Sequence, residues 1–190
     1  MRKSDRFLKP IRSHLDWFIA RAPAQGYGPD DSAMWMSSLD LHTGRSPEYD
    51  RPTGIQKRCY RWIEAPGGSN CYWDLPLLAT ADAVAELTGD GRYRQAADGY
   101  VRDFLARCVA GNGMFLWGNH YYYDAASGQV VWFTGDAPPK PVDLSDEDGN
   151  YHETRPLPVA WDLFWRLDAV ATERSIRAQG DLHVVKEGRA

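Results

Sequence analysis

A mainly α fold built from antiparallel helix hairpins, with a small β-hairpin inserted between them, is what this sequence predicts. Three observations carry the prediction. Tyr93, Ala96, Ala97, Tyr100, Val101, Phe104, Leu105 and Cys108 repeat at three- and four-residue steps without a break, as one apolar helix face requires. Upstream, Trp73, Leu77, Ala81, Val84 and Leu87 keep the same step, and only Thr88-Gly89-Asp90-Gly91 separates the two stripes. Two helices joined so briefly must lie antiparallel and side by side. After Gly111-Asn112-Gly113 the pattern changes to short extended-type runs at residues 114–117, 121–123 and 130–133, with Ala125-Ala126-Ser127-Gly128 as a turn.

The remaining elements follow in chain order. Phe7, Ile11, Leu15, Phe18 and Ile19 predict a helix over residues 5–21, with Pro10 tolerable only near its first turn. Glycine and proline break up residues 27–66, within which residues 33–41 fit a short helix or a strand equally well. Ser69 or Asn70 is suited to cap a helix running to about Leu87. Residues 134–150 read as a solvated loop, whose acids in DLSDEDGN lack the ligand spacing of a calcium loop. Helix returns over residues 158–167, with Ala160, Leu163, Phe164 and Leu167 inward and Pro158 in its first turn. Asp168 then caps a last helix, 169–179, ended by Gly180.

Composition bounds the function classes. A chain of 190 residues suits one domain. Its 22 Lys+Arg against 26 Asp+Glu, with no long run of either sign, offers no footprint for nucleic acid. No apolar stretch approaches a membrane span, and the first twenty residues carry no uninterrupted apolar core. Cys59, Cys71 and Cys108 form neither a CxxC pair nor an even framework, which predicts reduced, buried thiols and a cytoplasmic location. Eight tryptophans and ten tyrosines are the oddity. That density is common where sugar rings are stacked, and also in large helical cores.

The chemistry concentrates in two segments, GMFLWGNHYYYD at residues 113–124 and HETRP at residues 152–156. Trp117, Tyr121, Tyr122 and Tyr123 offer flat apolar faces with polar rims, Arg155 offers a fork for a carboxylate, and His120 and Glu153 are metal-ligand types. Asn119 sits beside them as a substrate-binding candidate. Each has a plainer reading alongside. His120 suits a hydrogen bond to a loop carbonyl, Trp117 and the tyrosines suit a core, His152 suits orienting Glu153, and Arg155 suits pairing with the acidic loop. Asp74, Asp124 and Asp162 are carboxylates that a glycoside hydrolase would need in pairs.

The region YGPDDSAMWMSSLDLHTGRSP, the segments LTGDGRYRQAA and WGNHYYYD, and the run HETRPLPVAWDLFWRLDAVATERSIRA together resemble family two of the polysaccharide lyases, the pectate or exo-polygalacturonate lyases. The resemblance implies an (α/α) toroid, of which this chain would be the N-terminal portion. It implies an acidic polysaccharide or oligosaccharide as substrate, cleaved by β-elimination. A divalent transition metal (manganese, cobalt or nickel) would grip the uronate carboxylate while an arginine removes the neighbouring proton. On the same basis His120 in WGNH and Glu153 in HET match two metal ligands. The third, a histidine directly after the catalytic arginine, has no counterpart, because no Arg-His pair follows Glu153. The family's catalytic lysine has no counterpart either. The 190 residues alone are therefore expected to be inactive, and an open toroid is expected to leave an apolar helix face for self-association. A glycoside hydrolase of the same architecture, and a non-catalytic sugar- or partner-binding helical protein, stand as the alternatives.

Overall fold

The computed structural model describes residues 5–47, 65, 67–118, 120–133, 139–147 and 160–183. About half of these are helical, in five helices, and two small antiparallel sheets complete the regular structure. Helix α1 (Asp5–Arg21) precedes β1 (Pro23–Ala24), which pairs with β2 (Ser32–Trp35). Four short strands form the second sheet in the order β3 (Gly68–Ser69), β4 (Tyr121–Asp124), β5 (Gln129–Trp132) and β6 (Lys140–Pro141). The other helices are α2 (Cys71–Thr88), α3 (Gly91–Arg107), α4 (Trp161–Leu167) and α5 (Ala169–His183).

The α2–α3 hairpin forms because both sides of its connection are capped. Gly89 adopts φ 72 and donates its N–H to the Ala85 carbonyl, a left-handed closure that costs glycine nothing. Asp90 then accepts from the Arg92 N–H and starts α3. On α3 the expected stripe is the observed one, with Tyr93, Ala97, Tyr100, Val101 and Phe104 buried. On α2 the expected stripe is rotated. Leu87 is 76% exposed and Trp73 and Leu77 are half-buried, while Cys71, Leu75, Leu78, Ala81, Val84 and Ala85 face inward. Most of the α2 circumference is apolar, so periodicity alone does not select the face that α3 covers.

Strand β2 resolves the helix-or-strand ambiguity at residues 33–41 in favour of a strand, and α3 is the reason. Asp103 on α3 accepts from the Ser32 hydroxyl at 3.0 Å and the Ala33 N–H at 2.6 Å, pinning β2 across the helix. Trp35 then stacks edge-on between Phe18 of α1 and Tyr100 of α3, with centroids 5.4 Å apart in each pair. A second aromatic cluster of Phe104, Phe115, Trp117, Trp161 and Phe164 fastens α4 to α3. At the rim of that contact Asp82 and Asp98 share the Arg166 guanidinium, at 3.1 and 2.5 Å, and Asp82 also pairs with Arg94 at 2.7 Å.

Other boundaries differ from expectation for local reasons. Residues 114–117 are extended but make only the single bridge Val109–Phe115, so the hairpin is β4–β5 alone. Two-residue strands widen it on both edges, and β6 lies inside the expected solvated loop. Gly180 does not end α5, which continues to His183, since an interior glycine costs a helix only about 1 kcal/mol. Asp168 does cap α5, accepting from the Ala171 N–H at 2.9 Å. Of the helix expected over residues 158–167, the first two positions lie outside the described residues. Phe7 and Ile11 on α1, Trp165 on α4, and Val170 and Ile176 on α5 are exposed large apolar side chains.

Burial raises the Asp82 carboxyl, but hydrogen bonds from Arg94 and Arg166 and their charges outweigh it and hold the group below the usual carboxylate range. A depressed carboxyl contributes stability that is present above its unfolded value near 4 and lost as pH falls through its lower folded value. Acid unfolding should therefore steepen below about pH 4. Asp82→Asn should lower stability at neutral pH by about 1–2 kcal/mol and flatten that acid limb, measured by urea unfolding at a series of pH values. An unchanged acid limb would show that the α2–α3–α4 charge cluster does not hold the helices together.

Candidate functional site

A helix start leaves its first N–H groups without intrahelical partners. In α2 they recruit the loop that carries His120. Asn70 caps the helix in extended conformation, the Tyr72 N–H donates to the Trp117 carbonyl at 2.7 Å, and the Asn70 side-chain amide donates to the Tyr121 carbonyl at 3.3 Å. The loop between those two carbonyls closes on itself, because the Tyr121 N–H returns to the Gly118 carbonyl at 2.9 Å. His120 lies inside this closure, its own carbonyl taking the Phe133 N–H at 2.8 Å.

Held this way, His120 has φ 83, the one positive value outside glycine among the described residues. The left-handed region costs an L-residue roughly 1–2 kcal/mol. Its Nδ1 is also buried with no hydrogen-bond partner, which costs about 1–3 kcal/mol for a neutral polar group. The plainer expectation of a hydrogen bond from that nitrogen to a loop carbonyl is thus not what the fold provides. The ring meets Trp132 edge-on, with centroids 6.5 Å apart, and Trp132 is 36% exposed. Strained backbone and an unsatisfied ligand-type atom thus coincide at this residue.

The aromatic candidates separate by burial. Trp117 is 3% exposed and its ring is enclosed by Phe115, Trp161 and Phe164, so it presents no face to a sugar. Tyr122 is 1% exposed and belongs to a small second core with Ala65, Val131 and Phe133. Tyr123 is equally buried, with the Arg107 guanidinium 5.6 Å from its ring centroid. Tyr121 is half-buried and lies directly across the β4–β5 pair from Trp132. Trp132 is therefore the aromatic that stays at the surface beside His120. No period-two signal in the sequence marks it: in Gln129–Trp132 the middle two residues are both buried and the outer two exposed.

Asn119, His152, Glu153 and Arg155 lie outside the described residues. Among the described residues no three His, Cys, Asp or Glu side chains gather as a metal set, and of the two expected metal ligands His120 alone is described. The carboxylates considered for hydrolysis are dispersed. Asp74 is fully buried and accepts from the Tyr100 hydroxyl at 2.8 Å, Asp124 takes the Ser127 N–H and hydroxyl in the hairpin turn, and Asp162 is exposed on the first turn of α4. Cys71 and Cys108 are free and buried, and burial pushes both thiols well above their ordinary range, which leaves them inert. No helix among the described residues is long and apolar enough to cross a membrane.

Residues 68–187 match the model of a family described as periplasmic pectate lyase. The match runs from β3 through α5 and spans His120 and Glu153. It overturns the expectation of a cytoplasmic protein. Thiols sealed in the α2–α3 core are shielded from oxidant in any compartment, so their number and spacing carried no information about location.

Replacing His120 with glycine relieves the positive φ and deletes the unsatisfied nitrogen. His120→Gly should leave thermal stability unchanged or raise it by about 1 kcal/mol, read from a calorimetric melt. A loss of more than about 1 kcal/mol would identify His120 as a structural residue.

Proposed function

The chain belongs to the periplasmic pectate lyase family, and from that premise we propose that it takes part in cleaving an acidic polysaccharide, polygalacturonate, by β-elimination. His120 carries the reading. A histidine held against stability, with a buried free nitrogen next to an exposed tryptophan, joins a ligand atom to a surface on which a sugar ring can stack. Every ring of a polyuronate carries a carboxylate, and elimination removes the proton on the carbon beside it. A divalent transition metal (manganese, cobalt or nickel) is the cofactor assigned, and when bound it would neutralise that carboxylate as a Lewis acid.

His120 and Glu153 would hold the ion, a nitrogen and oxygen donor set suited to such metals more than to calcium. The buried, unpartnered Nδ1 is the observation in favour of the fit. Trp132 takes over from Trp117 and Tyr122 as the ring-facing aromatic, with Tyr121 next to it. Asn119 and Arg155 remain assigned to the substrate by sequence position, Arg155 for the bidentate grip its fork gives a carboxylate. The α2–α3 and α4–α5 hairpins are assigned as successive hairpins of an (α/α) toroid, consistent with α4 lying against α3.

Two protein donors bind a metal weakly, since catalytic centres hold theirs with three. Calorimetric titration of manganese or nickel chloride into the wild type should give weak, saturable binding, and His120→Ala and Glu153→Ala should each weaken it by about tenfold or more. Equal binding by all three proteins would remove both residues from the site. Ultraviolet assay of the 190 residues on polygalacturonate should show no unsaturated product, because the sequence holds no Arg-His pair after Glu153. Measurable turnover would instead assign the base to a residue within the chain, Arg155 being the first to replace.

A further inference from the structure

A concavity of about 210 Å³ opens where the end of α1 meets β1 and the loop at Gly44 and Arg45. It lies outside residues 68–187 and away from His120. Gly28, adjacent to Tyr27 in its wall, lies against the Ala125 and Ala126 carbonyls at the turn end of the β4–β5 hairpin, whereas His120 precedes β4 at the opposite end. Its charged lining is Arg21 and Arg45, with no carboxylate.

Those two arginines differ from most of the others described, and of the four without an acidic partner among the described residues (Arg6, Arg21, Arg45 and Arg174) they are the two that share this concavity. Arg12, Arg92, Arg94, Arg107, Arg166 and Arg177 each reach an acidic partner within 4 Å. Among the described residues Arg21 and Arg45 reach none, although the chain carries a net charge of -4. Both are nonetheless held in place. The Arg45 guanidinium lies 4.5 Å from the Tyr27 ring centroid and donates to the Gly26 carbonyl at 3.1 Å. The Tyr27 hydroxyl is fixed in turn by the Ser46 N–H at 2.7 Å. Arg21 lies 5.3 Å from the Trp17 ring centroid and runs beneath Gly44, where an added Cβ would come within 2.7 Å of its Cδ. Gly44 has φ 67, and Asp40 braces the loop around it by accepting the His42 and Thr43 N–H groups.

Two positioned guanidinium groups lining one concavity, with no acidic partner among the described residues, favour an anion between them. Their planar forks suit a carboxylate, and Gln25 and Tyr27 in the same wall suit the hydroxyls and the flat face of a sugar. We propose that Arg21 and Arg45 form a second carboxylate-binding site, which takes a uronate unit of the same polymer at a distance from His120. The inference rests on the acidic-polysaccharide reading above and adds an anchoring subsite to it.

The test is calorimetric binding of a galacturonate oligomer to the wild type, to the double variant Arg21→Gln/Arg45→Gln and to His120→Ala, without added metal and at low ionic strength. A neutral oligosaccharide of equal length is the control. Loss of two charged hydrogen-bond donors should weaken galacturonate binding by about tenfold or more relative to the wild type, with the neutral oligomer bound poorly by all. Both arginines are exposed, so melting curves should stay unchanged; if the double variant does not fold, Arg45→Lys keeps the charge, loses the fork and should still weaken binding. Wild-type affinity in the double variant, or equal affinity for the neutral oligomer, would overturn the site. Loss confined to His120→Ala would overturn it while leaving the function reading intact. Loss in the double variant together with no metal binding at His120 would uphold the site and remove the elimination reading.

Discussion

An α-helix cannot bond its own first N–H groups, and the way α2 meets that constraint sets the position of the loop that carries His120. The Tyr72 N–H takes the Trp117 carbonyl and the Asn70 amide takes the Tyr121 carbonyl, so the entry to β4 is drawn onto the helix start. The sheet is thereby joined to the helical hairpin at the start of α2. Within the loop His120 has a positive φ and a buried, unpaired nitrogen, while the Gly118, His120 and Tyr121 carbonyls are each engaged.

Around that junction, shape and charge divide the work of holding the helices. Edge-on aromatic contacts fill the interior from Phe18 through Trp35 to Tyr100, and from Phe104 through Phe115 to Phe164. Carboxylates shared between arginines stand at the rims, where partial exposure keeps the desolvation cost low. Trp117 belongs to the first of these arrangements and Trp132 to neither. The aromatic at the surface beside His120 is thus one that the core did not take.

Much of this was legible in the amino-acid sequence where local chemistry decides the outcome. Asn70, Gly89, Asp90 and Asp168 mark helix ends because capping depends on a side chain and the two or three residues beside it. The α3 stripe was legible because one of its faces is clearly polar. The buried face of α2 was not, since Leu87 and Leu78 are equally apolar and only the packing of α3 distinguishes them. Strands β3 and β6 are two residues each and exist only through their partners in the sheet. His120 stood out as a motif residue, but its backbone strain arises from bonds to Trp117, Tyr121 and Phe133 that no spacing rule predicts. Trp132 went unnoticed for the same reason, its exposure being set by register against Tyr121.

The central claim is that the fold keeps the His120 nitrogen free for a ligand from outside the chain. Its most direct test is a nitrogen-15 spectrum of histidine-labelled protein during addition of substoichiometric manganese, with the five histidines assigned by single substitutions. The predicted result is a His120 ring without a protein hydrogen bond at Nδ1 and selective broadening of its resonances by the metal. A ring already hydrogen-bonded at Nδ1, or broadening spread evenly over all the histidines, would contradict it.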